Sequence, residues 1–216
     1  MAVNLPDGAI VSLATTYGAA KTVTGITNAN PGVATTSVAH SMTNGDVGVF
    51  SSGWSNLNSR VVRITSASGS VFSTEGIDTS STALYPAGTG SGTFTPISTW
   101  TQIAQIISLV TNGGEQQFTS YSFLEQNFES KIQTILSAMD LALEIADDAT
   151  MAGYLALKAA AEARATRALK LYLPNGSTIY YNGVISFNET PKLNKGQIMT
   201  VSATFALQSR PVRYST

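Results

Sequence analysis

Few residues of this chain have the types and spacing that catalysis or metal binding requires. The 216 residues include one histidine, His40, and no cysteine. Thiolate nucleophiles, disulfides and metal sites built from cysteines or several histidines are therefore excluded. His40 stands beside a turn sequence without an evident acid partner, so we interpret it as a turn residue. Since no acid–base constellation is recognisable, we expect no enzyme activity, no metal and no cofactor.

Three other groups of residues have simpler explanations than metal, phosphate or sugar binding. Asp147 and Asp148 could bind a metal, but at a strand-to-helix junction we predict instead that Asp148 caps the following helix. The glycine-rich segment 88–92 lacks the lysine and the strand-to-helix setting of a phosphate loop, so we interpret it as a flexible turn. Trp54 could stack on a sugar, and the alternative is that it covers a small core.

The charge composition argues against tight binding to nucleic acid. The 12 Lys and Arg residues nearly balance 13 Asp and Glu residues, so no basic field exists to hold phosphates. Charged residues make up only 12% of the chain, about half the usual share, which suits a surface covered by copies of the same protein. No run of about 18 apolar residues occurs, and the N-terminus lacks a basic segment followed by an apolar one. We expect neither a membrane span nor a secretion signal.

The clearest strand pattern spans residues 139–147. Its two faces alternate strictly, with Met139, Leu141, Leu143 and Ile145 on one and Asp140, Ala142, Glu144 and Ala146 on the other. This alternation predicts a strand with one face in a core and Asp140 and Glu144 on the wet face.

The residue composition and the spacing of apolar runs change near residue 98. Before it, turn signals such as Asn30-Pro31-Gly32 and Asn44-Gly45-Asp46 separate five short β-branched runs. These predicted strands are residues 22–27, 33–36, 47–50, 61–65 and 70–74. Their spacing indicates a small antiparallel barrel or sandwich.

In the second part of the chain, the apolar patterns predict one helix with strands before and after it. Apolar residues recur at helical spacing over about residues 149–166, with Arg164 and Arg167 at the C-terminal end. A hairpin over about 168–181 turns at Pro174, Asn175 and Gly176, and Asn182-Gly183 could add a bulge or a second turn. A final strand covers about 198–208. The fold class is mainly β, a barrel or sandwich with one docked helix plus the small barrel.

The ordered set of motifs in residues 171–211 resembles the end of the tube domain in lambda-type major tail tube proteins of long-tailed bacteriophages. The shared succession is a strand, the Pro-Asn-Gly hairpin, an aromatic strand, a polar linker and a long Thr/Val strand ending at Arg210-Pro211. The likeness extends over about 99–214. It implies a tube domain made of residues 1–21 and 99–216.

Residues 22–98 are similar to the small β-barrel of the first catalytic cysteine half-domain of ubiquitin-activating enzymes, a form that recurs as an insert in phage tail proteins. The matching residues are the segment 39–46, the Leu57-Asn58 pair, the strand 60–64, Phe72 and the segment 76–78. The resemblance implies a decoration domain inserted on the outside of the tube. No ubiquitin chemistry is implied, because the cysteine is absent.

The tail tube resemblance also implies a function. Members form hexameric rings that stack into a tube for DNA ejection, so double-stranded DNA passes without specific binding. On that basis Asp140 and Glu144 are candidates for lining the lumen, where acidic or neutral groups would repel phosphate; the alternative is an ordinary solvated face. Implied partners are the chain itself, the tape-measure protein, the tail terminator and the tail-tip proteins. The implied location is the virion tail, of the flexible, unsheathed kind.

A polar and aromatic stretch without a clean period follows residue 111. It resembles in position the long loop through which lambda-type subunits contact the next ring. The contact candidates are Glu115, Gln116, Gln117, Phe118, Tyr121 and Phe123. The alternative is that the three aromatic residues belong to the core of a hidden strand. The alternative function for the whole chain is a tail-tip or fibre-associated module that binds a host receptor.

Overall fold

The computed structural model describes residues 7–215, which form fifteen strands and one helix. The first seven strands are β1 (Ile10–Tyr17), β2 (Lys21–Ile26), β3 (Val33–Thr36), β4 (Val47–Ser52), β5 (Val61–Ser68), β6 (Val71–Thr74) and β7 (Gly92–Ile103). The remaining elements are β8 (Ile106–Gly113), β9 (Gln116–Tyr121), β10 (Ser130–Leu136), β11 (Met139–Ala146), α1 (Ala152–Glu162), β12 (Thr166–Tyr172), β13 (Thr178–Lys192), β14 (Thr200–Leu207) and β15 (Val212–Tyr214). The predicted fold class, mainly β with one docked helix, is confirmed.

Six strands near the N-terminus close into a small antiparallel barrel. Around the barrel the order is β2, β3, β6, β5, β4 and β7, and β7 pairs back onto β2. Its core holds Phe50, Phe72 and Phe94, with ring centroids 4.9 to 6.1 Å apart. Because the ring of strands is complete, this barrel presents no unpaired edge along its path.

A second, open sheet continues from the same strand β7. Its order is β7, β1, β12, β13, β14, β11 and β8, all antiparallel. Helix α1 packs on β13, β7 and β1 and covers a core that includes Leu143, Leu157 and Phe205. A Cβ on Gly153 would lie 2.7 Å from the Gln102 carbonyl oxygen, so glycine allows α1 to approach β7 this closely.

Besides the shared strand β7, side-chain hydrogen bonds join the barrel to the open sheet. The hydroxyl of Tyr214 accepts a hydrogen bond from the backbone N–H of Arg63 at 2.9 Å and donates to the carbonyl oxygen of Glu75 at 3.1 Å. Burial raises the pKa of Tyr214 to about 12. The side-chain amide of Asn182 donates to the carbonyl oxygen of Ser59 at 2.8 Å. These contacts fix the barrel against the sheet.

A two-stranded arm extends from the open sheet. Strands β9 and β10 pair with each other and with no third strand in the described part of the chain. The arm, residues 115–137, begins after Gly113 and Gly114, whose φ angles are +76° and +79°. These angles lie in the left-handed region that favours glycine.

Several predicted boundaries differ from the structure. The helix spans Ala152–Glu162 rather than 149–166, and Arg167 lies in β12. The prediction that Asp148 caps the helix is wrong, because Met151 occupies the N-cap position and makes no side-chain capping bond. Asp148 Oδ1 instead accepts bonds from the N–H and hydroxyl of Thr150 at 3.0 and 2.6 Å. This local turn uses the carboxylate that the helix amides would have needed.

Two further differences concern the C-terminal part of the sheet. Asn182-Gly183 forms no second turn and lies inside β13. A Cβ on Gly183 would lie 2.6 Å from the carbonyl oxygen of Ala206, so the glycine permits close strand packing. Strand β14 is followed by β15, which pairs with the start of β13. Pro174, Asn175 and Gly176 lie in the turn that joins β12 to β13.

The domain boundary predicted at residue 98 falls within β7. The first part of this strand pairs with β2 and β4, and its second part pairs with β1. The division of the chain into a tube domain and an inserted barrel stays a prediction.

Candidate assembly surfaces

One face of the open sheet is lined mostly by small side chains. Asp140 lies opposite Asn112 on β8 and Ala206 on β14, and the face continues through Ala142 to Glu144. The rest of this polar face is formed by Ser108, Val110, Ser202, Thr204, Ser186 and Asn188. The opposite face of β11 is buried in the core. The structure therefore places the predicted lumen candidates Asp140 and Glu144 together on one wet face.

Glu144 is engaged by two neighbours on this face. Its Oε1 accepts a hydrogen bond from the Thr200 hydroxyl at 2.7 Å and one from Lys192 Nζ at 3.2 Å. The Thr200 bond, followed by the Lys192 bond, lowers the pKa of Glu144. Within residues 7–215 the Asp140 carboxylate forms no ion pair. Asp140 thus leaves a negative charge on the polar face, whereas Lys192 offsets that of Glu144.

Strand β8 is an edge of the open sheet. In the described residues it pairs with β11 on one side and with no strand on the other. Ile107 and Val110 on this strand are each about half exposed. An edge with free backbone groups and apolar side chains is a template for pairing with another chain.

The arm exposes apolar side chains on both of its faces. Tyr121 and Ile132 lie on one face, because Tyr121 pairs with Ser130 and Thr119 with Ile132, and Phe118 lies on the other. Phe118 is 58% exposed, and Leu124, at the arm tip, is fully exposed. A ribbon that is apolar on both faces is not covered by its own chain, so both faces are available to other molecules.

The contact candidates predicted from the sequence all lie on this arm. Gln116 Nε2 donates to the carbonyl oxygen of Thr134 at 3.1 Å and links the two arm strands. Phe118 and Tyr121 do lie in a strand, as the core alternative required, but that strand is exposed and neither residue belongs to a core. Phe123 contacts the Tyr121 ring edge-on at 5.6 Å. Glu115 and Gln117 are exposed.

The residues considered for chemistry have structural roles. His40 is buried; its Nδ1 accepts the Met42 N–H and its Nε2 lies 3.0 Å from the carbonyl oxygen of Val71. Trp54 is buried and its indole N–H donates to the carbonyl oxygen of Pro86 at 2.7 Å, so it covers the barrel core and is not free to stack on a sugar. No cluster of possible metal ligands occurs among residues 7–215.

Four exposed apolar residues were missed in the sequence. Ile107, Leu193, Ile198 and Met199 are each at least half exposed. Leu193 lies in the predicted polar linker, whereas Ile198 and Met199 fall in the predicted final strand 198–208. The structure begins that strand at Thr200 and leaves both residues exposed.

A mainly β subunit with an open sheet edge and a protruding apolar arm has the features of a structural protein that assembles with copies of itself. Residues 52–216 match the family model described as phage tail tube protein (TTP). The chain belongs to this family, because the match covers most of its length. A search of curated proteins finds no match.

The family fixes the role and the location of the protein. It is a structural protein of the bacteriophage virion tail that assembles into a tube. The match begins at the end of β4 and so includes β5 and β6 of the barrel and every strand of the open sheet except β1. Within the described residues no helix has the length and apolar character needed to cross a membrane.

Proposed function

We propose that six copies of this chain close into a ring and that the rings stack into a tail tube through which the phage DNA is ejected. The observation that carries this proposal is the open edge at β8 beside the polar face. A sheet with a free edge gains backbone hydrogen bonds when another subunit covers that edge. Repetition of the same contact around an axis closes a ring and leaves no edge exposed.

The polar face supports a role as the channel wall. Small Ser, Thr, Ala and Asn side chains leave room for a duplex, and Asp140 adds a charge that repels phosphate. Arginine and lysine would instead hold DNA by counterion release. Lys192 is paired with Glu144, so its charge is locally balanced. A wall of this kind favours sliding over binding.

The arm supports contacts between subunits. Its strands belong to neither core, yet they expose aromatic and aliphatic residues on both faces. Such a segment is stabilised when neighbouring subunits cover it. In the intact tail we expect further contacts with the tape-measure protein within the tube, the terminator at the head end and the tip complex. The tail would be of the flexible, unsheathed type, and the barrel would face outward.

Negative-stain electron microscopy, combined with size-exclusion chromatography and light scattering, tests the proposal. Concentrated protein at neutral pH should form stacked rings with a channel wide enough for duplex DNA. The matched variant deletes residues 115–137, which joins Gly114 to Ala138 and leaves both cores intact. This variant should remain folded and fail to stack. A discrete, non-stacking trimer of the intact chain would contradict the proposal and favour the receptor-binding alternative.

A further inference from the structure

A cleft of about 470 Å³ lies where the barrel meets the open sheet. Strand β4 and the loop after it contribute one part of its lining, and the first residues of β12 contribute another. Among the lining residues, Phe50 and Asn182 are buried, whereas Ser51, Asn58 and Thr166 are exposed. Sites for small molecules in proteins have volumes of about 300–1,000 Å³. The cleft therefore has a buried floor, an exposed rim and room for a small ligand.

Arg167 brings an uncompensated positive charge to this cleft. Its guanidinium carbon lies 5.5 Å from the centroid of the Tyr17 ring, which also lines the cleft. Within residues 7–215, no aspartate or glutamate lines the cleft and Arg167 forms no ion pair. Arg63, which is also partly buried, is by contrast paired with Glu75. A guanidinium held on an aromatic ring presents a planar fork of N–H donors, and this fork matches a carboxylate.

Neutral polar groups surround the arginine. Four side-chain hydroxyls line the cleft and form no hydrogen bond to any other described residue, namely those of Ser51, Ser59, Thr95 and Thr166. Asn58 Oδ1 accepts the N–H of Ser52 at 3.1 Å, which leaves the amide N–H groups of Asn58 for a ligand. Hydroxyls both donate and accept hydrogen bonds, and amide N–H groups donate them. The cleft therefore offers several polar partners in addition to one positive charge.

Hydrogen bonds hold the lining of the cleft in place without a ligand. The Tyr17 hydroxyl accepts the N–H of Ala168 at 2.9 Å. The carbonyl oxygen of Ser59 accepts bonds from Asn182 Nδ2 at 2.8 Å and from the Ser209 hydroxyl at 2.9 Å. Ser59 has a φ angle of +60°, which residues other than glycine rarely adopt. The contacts between barrel and sheet thus fix this residue, and a preorganised site loses less entropy when it binds.

We infer that this cleft binds a carboxylated sugar, with the carboxylate on Arg167 and the sugar hydroxyls on the surrounding side chains. A simple carboxylate would leave the four hydroxyls and Asn58 without partners, and a neutral sugar would leave the arginine charge unpaired. A sugar acid satisfies both. The inference goes beyond the proposed tube, because the site lies within one subunit and needs no contact between copies. Acidic polysaccharides carry this chemistry, so the site would attach the protein to them.

Saturation-transfer difference NMR on the full chain tests the inference, since it detects ligand binding to subunits and to assemblies alike. The probe is methyl β-D-glucuronide. Methyl β-D-glucoside, which lacks the carboxylate, and acetate, which lacks the hydroxyls, are the matched controls. The glucuronide should bind at about millimolar concentration, and both controls should bind at least about tenfold more weakly.

Two substitutions assign the binding to this cleft. Arg167→Gln removes the charge and should weaken glucuronide binding about tenfold or more. Arg164→Gln removes a nearby exposed arginine that does not line the cleft, and should leave binding unchanged. Thr166→Val removes one hydroxyl at an exposed position and should weaken binding by a smaller factor. Thermal unfolding verifies that each variant is folded, and Thr166→Val decides the assignment if Arg167→Gln does not fold.

Each result supports or overturns the inference. Selective binding of the glucuronide that is weakened by Arg167→Gln, or by Thr166→Val where that variant decides, and kept by Arg164→Gln supports it. Equal binding of acetate would identify a plain carboxylate site and overturn it. Equal binding of the glucoside, unchanged binding by the deciding variant, or no saturation by the glucuronide at tens of millimolar would overturn it as well. None of these results bears on the proposed tube, because none of them measures assembly.

Discussion

The closed barrel and the open sheet differ in whether their outermost strands are paired. The barrel pairs every strand along its path and fills its interior with three phenylalanine rings and Trp54. The open sheet ends at β8 and carries an arm whose apolar residues are left uncovered. The barrel is complete within one chain, whereas the sheet leaves an edge and an arm that we propose are covered by another chain. On that proposal, aromatic residues contribute to folding in one region and to assembly in the other.

The largest expected effect distinguishes these two uses of phenylalanine. Phe72→Ala removes a fully buried ring that lies 5.1 Å from Phe94, and should lower the free energy of unfolding by about 3–5 kcal/mol. Phe118→Ala on the arm should change it by no more than about 0.5 kcal/mol while it impairs tube formation. Denaturant unfolding of dilute protein and electron microscopy measure the two quantities. Equal losses of stability would contradict the comparison.

A smaller effect is expected where the barrel meets the sheet. Tyr214→Phe removes the hydroxyl that bonds both Arg63 and Glu75, and should cost about 1–3 kcal/mol because partly buried backbone groups lose their partner. Thermal unfolding measures the change. Tyr172→Phe, on an exposed tyrosine, is the matched control and should have no measurable effect. If both variants unfold alike, Tyr214 does not hold the junction.

The smallest effect concerns the charge on the polar face. Hydrogen bonds from Thr200 and Lys192 stabilise the ionised form of Glu144 and lower its pKa. The contribution is present above the ordinary glutamate pKa and is lost as the pH falls through the lowered value. A carbon-13 titration of the Glu144 carboxyl group should therefore show its midpoint below the ordinary glutamate value.

Two substitutions test the cause of that shift. Thr200→Val removes the larger cause and should move the midpoint upward more than Lys192→Met does. A larger shift from Lys192→Met would assign the effect to the ion pair instead.

Secondary-structure elements were predicted best from the sequence where one face of the element is buried in the core of its own chain. Strand β11 was predictable because alternation along a half-buried strand has a period of two. The arm has no such period, since neither face of it meets a core of its own chain, and a strand there was therefore only the alternative interpretation. If another copy covers these residues, as we propose, their pattern is set by that copy and a single sequence does not display it.

Local signals failed where tertiary contacts or a competing turn override them. Asn182-Gly183 is a typical turn pair, yet the Asn182 side chain donates a hydrogen bond to the carbonyl oxygen of Ser59, and Gly183 packs closely against a neighbouring strand. Asp148 is a typical helix-capping residue, yet its carboxylate accepts a hydrogen bond from the N–H of the nearby Thr150. In each case the residue does form a hydrogen bond or a close contact, but its partner is decided by the folded chain and not by the local sequence.

The continuity of β7 has a mechanical consequence. Its backbone runs unbroken from the barrel into the open sheet, so a pull on the barrel is carried by covalent bonds and by rows of hydrogen bonds on both sides of the strand. A flexible linker would let the barrel swing and absorb the load. We therefore expect the barrel to move together with the sheet, so that bending or twisting of the assembly reaches the barrel directly.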